Sequence, residues 1–184
     1  RKHLRAVANV AGITAVAINA HASEVHACTV DEQRRVLEFT IEEIGDELPV
    51  INGIYADGSQ QAAELARMAE ANQASCLLVL PPHSIGMFGG QMRPEMAITH
   101  FRMIADATDL PIIVFQYPGT YAYPLPTLLR LIEEVPTIRA IKDWSPPMQQ
   151  EEHVRALQSL SRPVHVLSTN SAWLMASLTM GCNG

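Results

Sequence analysis

The sequence predicts an α/β fold: a (β/α)8 TIM barrel of which this chain supplies about six strands, the second to the seventh. Three observations support this. Short apolar runs rich in β-formers alternate with amphipathic helical stretches along all 184 residues. The apolar runs are continuous, as is typical of parallel strands covered on both faces. Polar residues cluster just after the runs, where barrel enzymes carry their chemistry. Residues 1–184 are therefore expected to form one partial-barrel domain.

A short helix, Arg1–Val10, is predicted first, and six strand–helix units follow it. The predicted strands are Ile13–Ala20, Pro49–Tyr55, Cys76–Pro81, Pro111–Tyr117, Ile138–Asp143 and Val164–Ser168. The predicted helices are Asp31–Ile44, Ser59–Asn72, Pro94–Ala107, Pro126–Glu134, Gln150–Leu160 and Ser171–Met180.

Several helix starts carry recognisable signals. Thr29 is a plausible N-cap with Glu32 three residues later, the pattern of a capping box. Ser59 is interpreted as the cap of the next helix, and Pro94 stands in a first turn, where proline is tolerated. No GxGxxG or GxxxxGK[ST] motif follows a strand, which disfavours a nucleotide-binding open sheet. The chain lacks an initial methionine and stops at a turn-like 181–184, so the first strand and the C-terminal helices are expected to be missing.

Composition excludes several classes of function. The net charge is −6 with no basic run, which argues against nucleic acid and anionic membrane surfaces as partners. No apolar stretch reaches the length of a membrane span, and no leader sequence is evident. Cys28, Cys76 and Cys182 form no CxxC pair, so neither a zinc site nor a disulfide framework is indicated and a cytoplasmic location is expected.

The most informative residue is Lys142, one of only two lysines in the chain. It ends the apolar run Ile138–Asp143, where a buried ammonium is costly unless it is paired or its pKa falls. A lysine with a lowered pKa is a nucleophile for carbonyl carbons. The alternative is a structural lysine that reaches water with its amine. Period-2 alternation places Ile138, Ala140 and Lys142 on one face, and the small Ala140 would leave room beneath the amine.

Polar or unusual residues follow each predicted strand and should meet at one rim of the barrel. They are Asn19–Glu24, Asn52-Gly53, Pro81-Pro82-His83, Gln116-Tyr117, Lys142-Asp143 and Ser168-Thr169-Asn170. The segment Met87-Phe88-Gly89-Gly90 is interpreted as a mobile, glycine-hinged loop over this rim.

These segments together resemble the dihydrodipicolinate synthase / N-acetylneuraminate lyase family of class I, Schiff-base aldolases. The resemblance runs over nearly the whole chain in order and spacing. It is carried by Ala20-His21-Ala22-Ser23-Glu24, Asp31-Glu32, Gly53, Ser59-Gln60-Gln61-Ala62, Leu80-Pro81-Pro82-His83, His100-Phe101, Leu110–Pro118 and Ile138–Asp143. It implies that Lys142 forms an imine with pyruvate or another 2-oxo acid, without a cofactor or a metal. It also implies a homo-oligomer, either a dimer or a tetramer.

The sequence departs from the family in the site itself. The family's catalytic tyrosine corresponds to Phe115, and the tyrosine that synthases take from a partner subunit corresponds to Pro82-His83. The arginine that some synthases use to hold a carboxylate corresponds to Thr120. Phe115 has no hydroxyl with which to relay a proton.

Two other residues are candidates for proton transfer. His21 should lie on the rim, and histidine is the usual general acid or base near neutral pH. The alternative is a loop histidine whose side chain only hydrogen-bonds to the backbone. Tyr117 should share a strand face with Phe115 and could supply a phenol, or could simply pack. His21 and His26 have no nearby carboxylate to complete a metal-ligand pattern, so no metal site is predicted. The expected substrate-binding residues are Ala22, Ser23, Phe115, Thr169 and Asn170.

Three functions are consistent with this reading. The first is a carbon–carbon or carbon–oxygen lyase, an aldolase that acts on a small-molecule 2-oxo acid. The second is a dehydratase or hydratase-aldolase of the same family that uses a different acid or base. The third is a non-catalytic barrel that binds a small molecule and lost its catalytic activity when Phe115 replaced the family's tyrosine. The retained Lys142 weighs against the third, because a binding protein has little use for a desolvated amine.

Overall fold

The computed structural model describes residues 1–83 and 93–184. Its centre is one curled, six-stranded sheet in which every neighbouring pair is parallel and the strands follow chain order. The strands are β1 (Val16–Ile18), β2 (Val50–Ile54), β3 (Cys76–Val79), β4 (Ile112–Gln116), β5 (Ile138–Asp143) and β6 (His165–Ser168). This arrangement confirms the predicted partial barrel.

Helices connect the strands and cover the outer face of the sheet. They are α1 (Lys2–Ala8), α2 (Val30–Ile44), α3 (Ser59–Ala71), α4 (Pro94–Ala105), α5 (Leu125–Glu134), α6 (Pro147–Gln158) and α7 (Leu174–Met180). Within the described ranges no helix is long and apolar enough to cross a bilayer. The hinged loop predicted at Met87–Gly90 falls outside the described residues.

The predicted signals account for the starts of α2 and α4, and one prediction, at α3, is corrected. Thr29 and Glu32 form the predicted capping box at the start of α2. Pro94 opens α4 as predicted. Ser59 is not a cap: Gly58 occupies that position, and Ser59 is the first helical residue. Its hydroxyl instead lies 3.1 Å from Nδ1 of the buried His100 on α4.

The sheet separates two apolar cores. The larger lies between the sheet and the helices and includes Leu37, Phe101 and Ile141. The smaller lies on the inner face of the curl and consists of Ala20, Leu78, Leu80, Ile113, Phe115, Tyr117 and Ala140. Burial on both faces explains why the strands read as continuous apolar runs.

The prediction that Ile138 shares a strand face with Ala140 and Lys142 is wrong, because the pairing of β5 with β4 contains a register shift. Ile112 pairs with Ile138 but Ile113 pairs with Ala140, so Arg139 is an extra residue without a partner on β4. Ile138 therefore packs in the outer core, while Ala140 faces the inner one. After the shift the period-2 alternation holds, and Ala140 and Lys142 share the inner face.

Candidate active site

Lys142 lies on the inner face of the barrel near the carboxyl end of β5. It pairs with Phe115 on β4 and with Leu167 on β6. Its Nζ lies 4.1 Å from the centroid of the Phe115 ring. The side chain is half-buried, and no ion pair joins it to a carboxylate among the described residues. Burial lowers the pKa of Lys142, which favours the neutral, nucleophilic amine.

Phe115 on β4 and Tyr117 directly after it both pack in the inner core, as the strand alternation predicts. Their ring centroids are 4.3 Å apart, and both side chains are buried. The Tyr117 hydroxyl is buried with no hydrogen-bond partner in the described part of the chain. Burial, together with nearby Tyr55, raises the pKa of Tyr117 to about 12. Tyr117 is therefore a neutral phenol at physiological pH, able to donate a proton to a strong base formed during reaction.

His21 lies on the rim, in a single 3-10 turn (His21–Ser23) that follows β1. His21 is exposed, and its ring and that of Tyr117 make an edge-to-face contact with 5.8 Å between centroids. It also lies 6.0 Å from the indole of Trp144, which comes two residues after Lys142. The structure thus brings His21 and Tyr117 together beside Phe115, whose ring contacts Lys142.

A buried amide network fixes the start of the His21 turn. Asn19 adopts the left-handed region, with φ of 49°. Its Nδ2 donates to the Gln33 carbonyl and to Asn52 Oδ1, each at 2.8 Å. Gly53 makes this approach possible, because a Cβ there would lie 1.9 Å from the Asn19 carbonyl oxygen.

A second histidine, His83, lies at the rim after β3. It lines a cavity of about 250 Å³ together with His21, Val25, His26, Tyr55 and Leu80. Burial lowers the pKa of His83; Asp57 opposes this, and His21 and His26 add to it. His83 Nδ1 is buried and has no hydrogen-bond partner in the described ranges. The imidazole is therefore neutral at physiological pH.

Five side chains form what we call the aromatic wall: Tyr55, His83, Tyr117, Tyr121 and Trp144. His83 lies 5.1 Å from Tyr55, 5.2 Å from Tyr121 and 5.4 Å from Tyr117, measured between ring centroids. Tyr117 lies 5.8 Å from Trp144 and 6.3 Å from Tyr121. Sequence reasoning did not select Tyr55, Tyr121 or Trp144. Each stands one to five residues beyond a strand end, and that placement was the available signal.

Buried polar groups fix the loops that carry the wall. The Gln116 side chain donates to the Tyr123 carbonyl at 2.8 Å and accepts from its backbone amide at 3.0 Å. These two bonds hold the turn that includes Tyr121. On the outer side of β5, Asp143 Oδ2 lies 2.7 Å from His153 Nδ1, and Asp143 Oδ1 accepts from the Ser145 backbone at 2.9 Å. Both side chains of the Asp143–His153 pair are fully buried, and they anchor the strand end next to Lys142.

The other predicted substrate-binding residues lie in different surroundings. Ala22 and Ser23 are exposed and line a groove of about 480 Å³ along β1, together with residues of α1. The Asn170 side chain accepts from the Ala172 backbone at 2.9 Å and so caps a local turn. Thr169 is half-buried beside Asp143, to whose carbonyl its backbone donates at 2.9 Å. Its hydroxyl has no partner in the described part of the chain.

In the described ranges, no three His, Cys, Asp or Glu side chains gather in a way that could hold a metal ion. What the site offers chemically is a half-buried amine, a neutral phenol and two imidazoles. This set is suited to imine formation followed by proton transfer.

Comparison with known proteins agrees with this arrangement. Residues 4–184 match the model of the dihydrodipicolinate synthetase family. A curated relative, 4-hydroxy-tetrahydrodipicolinate synthase of Pelobacter propionicus, is 28% identical over 162 residues, which are 88% of this chain and 53% of the relative. The chain thus spans about half the length of the curated relatives it matches.

Solved structures share the fold. Dihydrodipicolinate synthase from Agrobacterium tumefaciens superimposes with a TM-score of 0.84 at 26% identity, covering 98% of this chain and 60% of that one. A prophage protein of the dihydrodipicolinic acid synthase family from E. coli K12, solved in complex with pyruvate, gives a TM-score of 0.88 at 18% identity, covering 99% and 60%. The chain therefore belongs to the dihydrodipicolinate synthetase family.

Proposed function

We propose that this protein is a Schiff-base lyase of the aldolase type that acts on pyruvate or another 2-oxo acid, with Lys142 as the nucleophile. The observation that carries the proposal is the placement of Lys142. Its amine is half-buried on the inner face of the barrel, its pKa is lowered by burial, and it lies over an aromatic ring. Such an amine is neutral more often than an exposed lysine and is a better nucleophile toward a ketone.

The chemical steps follow from that placement. The Lys142 nitrogen attacks the ketone carbon of the 2-oxo acid, and loss of water leaves an imine. Protonation of the imine makes it an electron sink, so the neighbouring carbon can lose a proton and become an enamine. The enamine carbon then forms a bond to an aldehyde carbon, or the reverse reaction breaks that bond. Water finally releases Lys142.

Proton transfer in these steps is assigned to His21, with Tyr117 as the second candidate. Phe115, in the position of the family's tyrosine, cannot perform it. His21 is exposed on the rim and contacts Tyr117, so the two side chains can act at the same bound molecule. Substrate contacts are proposed for Phe115 and Thr169, and for Ala22, Ser23 and Asn170 through the loops that carry them.

A second candidate within the family is a dehydratase or hydratase-aldolase. It would form the same imine at Lys142. Elimination of water, in place of carbon–carbon bond cleavage, would require the proton donor to lie next to the departing hydroxyl. A non-catalytic binding barrel stays the third alternative. The oligomeric state, a dimer or tetramer, and a cytoplasmic location stay predictions.

The first test is a screen with sodium borohydride, which reduces an imine to a stable amine. The protein is incubated with pyruvate, 2-oxobutanoate, 2-oxoglutarate or 2-oxo-3-deoxy sugar acids, and its intact mass is measured. With at least one of these acids, we expect the protein mass to increase by one reduced 2-oxo acid adduct. No mass increase with any of them would reject Schiff-base chemistry and leave the binding-protein alternative.

A further inference from the structure

We propose that His153 is a positioning residue for Lys142: it acts through Asp143 and holds the end of β5 so that the lysine amine stays half-buried on the inner face. This inference rests on the proposed function, because it concerns how the nucleophile is kept in place. It is carried by one buried, hydrogen-bonded pair of side chains on the outer side of the sheet.

Lys142 stands close to the end of its strand. It is the last residue but one of β5, and Asp143 ends the strand. Their side chains point to opposite faces, since side chains alternate along a strand. Lys142 faces the inner core, while the fully buried Asp143 faces the helices. A contact that Asp143 makes with a helix therefore fixes the peptide that carries the lysine.

The Asp143 carboxylate is held at both of its oxygens. Oδ1 accepts from the Ser145 backbone at 2.9 Å, within the turn that follows the strand. Oδ2 lies 2.7 Å from Nδ1 of His153, which is on α6. This second contact joins the carboxylate to a different element of the fold, and hydrogen bonds to an ionised group are stronger than neutral ones. It thus ties the end of β5 to α6.

The bond to Asp143 is what His153 adds to the interior. The His153 side chain is fully buried, and its Nε2 has no hydrogen-bond partner in the described part of the chain. A buried nitrogen without a partner destabilises the folded state, so an apolar side chain would be favoured at this position if packing were its only task. We therefore assign the histidine to Asp143 and, through it, to Lys142.

Loss of the imidazole should reach Lys142 through the strand end. The Asp143 carboxylate would then be a buried charge with one oxygen unpaired, which is unfavourable. Movement of the carboxylate toward water would relieve this and would displace the end of β5. Lys142, one residue earlier, would lose part of the burial that lowers its pKa. The neutral, nucleophilic amine would become rarer.

The surroundings of Lys142 make its pKa a usable reporter of this change. Burial is the cause of the lowered pKa, and no charged group in the described ranges adds to it. Phe115 and Leu167, the neighbours across the ladder, do not titrate. Beyond Phe115 lie Tyr117, which is neutral at physiological pH, and His21, which contacts it. A rise in the pKa of Lys142 reports lost burial, because loss of the Phe115 contact would lower it.

The test compares three variants with the unaltered full-length protein. His153→Leu removes the bond to Asp143, whereas His153→Asn retains it, because the asparagine amide nitrogen takes the place of Nδ1. Leu157→Ala is the matched control: Leu157 is fully buried one turn further along α6, so its truncation lowers stability and leaves the Asp143 bond in place. The rate of borohydride trapping with pyruvate is measured as a function of pH, and circular dichroism verifies folding.

We expect the pH at which trapping reaches half its maximal rate to rise by at least about half a unit in His153→Leu, because a lysine that regains water moves toward its ordinary pKa. At pH 7 this corresponds to roughly threefold slower trapping, since one pKa unit changes the neutral fraction of an amine tenfold. His153→Asn and Leu157→Ala should keep the pH midpoint of the unaltered protein.

An unchanged midpoint in folded His153→Leu, or an equal rise in Leu157→Ala, would overturn the proposal. Either result would leave the proposed function standing, whereas absence of trapping in the unaltered protein at every pH would reject both. If His153→Leu does not fold, His153→Gln decides the proposal. Glutamine fills similar space but carries its amide one bond further out than Nδ1, so the midpoint should rise in His153→Gln and not in His153→Asn. Equal midpoints in these two variants would overturn the proposal.

Discussion

Lys142 and Phe115 are direct neighbours across the β4–β5 ladder, and the lysine Nζ lies 4.1 Å from the centroid of the phenylalanine ring. Two effects oppose each other in this pair. Burial favours the neutral amine and lowers the pKa of Lys142. The negative face of the ring favours the ammonium. The ring contact therefore limits how far burial lowers the pKa of Lys142.

Replacing Phe115 by Leu should therefore lower the pKa of Lys142 further. A cation–π contact contributes about 0.5–1 kcal/mol at accessible sites, and 1.36 kcal/mol corresponds to one pKa unit. The pH at which pyruvate trapping reaches half its maximal rate should fall by roughly half a unit. Phe115→Tyr keeps the ring and is the control. If pyruvate trapping reached half its maximal rate at the same pH in the leucine and tyrosine variants, this account of the Lys142–Phe115 pair would be contradicted.

His21→Ala should separate imine formation from later proton transfer. Attack on the ketone requires the amine of Lys142, so trapping should persist. Carbon–carbon bond cleavage or dehydration should slow by roughly 10²–10⁴-fold, the contribution of a positioned acid or base. His165→Ala, an exposed histidine at the opposite end of the sheet, is the control. If turnover in His21→Ala equals that of the control, the relay belongs to Tyr117 or to a bound water.

The Asp143–His153 pair should contribute strongly to stability. Replacing His153 by Phe leaves the buried Asp143 carboxyl without its 2.7 Å partner, which should lower the free energy of unfolding by about 3 kcal/mol. Glu151→Ala, which breaks an exposed ion pair with Arg155 on the same helix, should cost less than about 1 kcal/mol. Urea titrations measure both. A similar decrease in the free energy of unfolding of the two variants would show that the buried pair stabilises the protein no more than the exposed one.

His100 should make the protein sensitive to acid. Burial lowers its pKa to about 4, with Asp57 opposing, while an unfolded histidine titrates near 6.5. Between these values the unfolded state binds more protons, so stability decreases as the pH falls from 6.5 toward 4. The loss should amount to about 3 kcal/mol, from 1.36 kcal/mol per pKa unit.

His100→Gln removes this titration, so its free energy of unfolding should depend less on pH over the same window. The measurement is a series of urea titrations at fixed pH values. Parallel pH dependence in the variant and the unaltered protein would assign the acid sensitivity to other groups.

The fold could be predicted from the sequence because its signals are local and repeated. All six strands and the helices that follow them were located, and β5 was predicted with the bounds it has. Strand ends are predicted less accurately. The predicted strand Ile13–Ala20 is observed as Val16–Ile18, and its early end follows from Asn19, which adopts the left-handed region. The register shift at Arg139 depends on pairing with β4, and no pattern within one strand reveals it.

The site was predictable only in part. Lys142, Phe115, Tyr117 and His21 were selected, and the structure brings them together. Tyr55, Tyr121 and Trp144 were missed because single aromatic residues after strands are as typical of packing as of binding. The Asp143–His153 pair was missed because it joins residues ten positions apart on a strand and a helix. Its partners become neighbours only after α6 packs against β5.

The most direct test of the central claim is the location of the borohydride-reduced adduct. The chain offers a clean comparison, because its only other lysine is Lys2 on α1. The protein and its Lys142→Met and Lys2→Met variants are treated with pyruvate and borohydride, digested and mapped by mass spectrometry. The account predicts one pyruvate-derived unit on the peptide that contains Lys142, its loss in Lys142→Met and its retention in Lys2→Met. An adduct that persists in Lys142→Met, or that maps to Lys2, would contradict it.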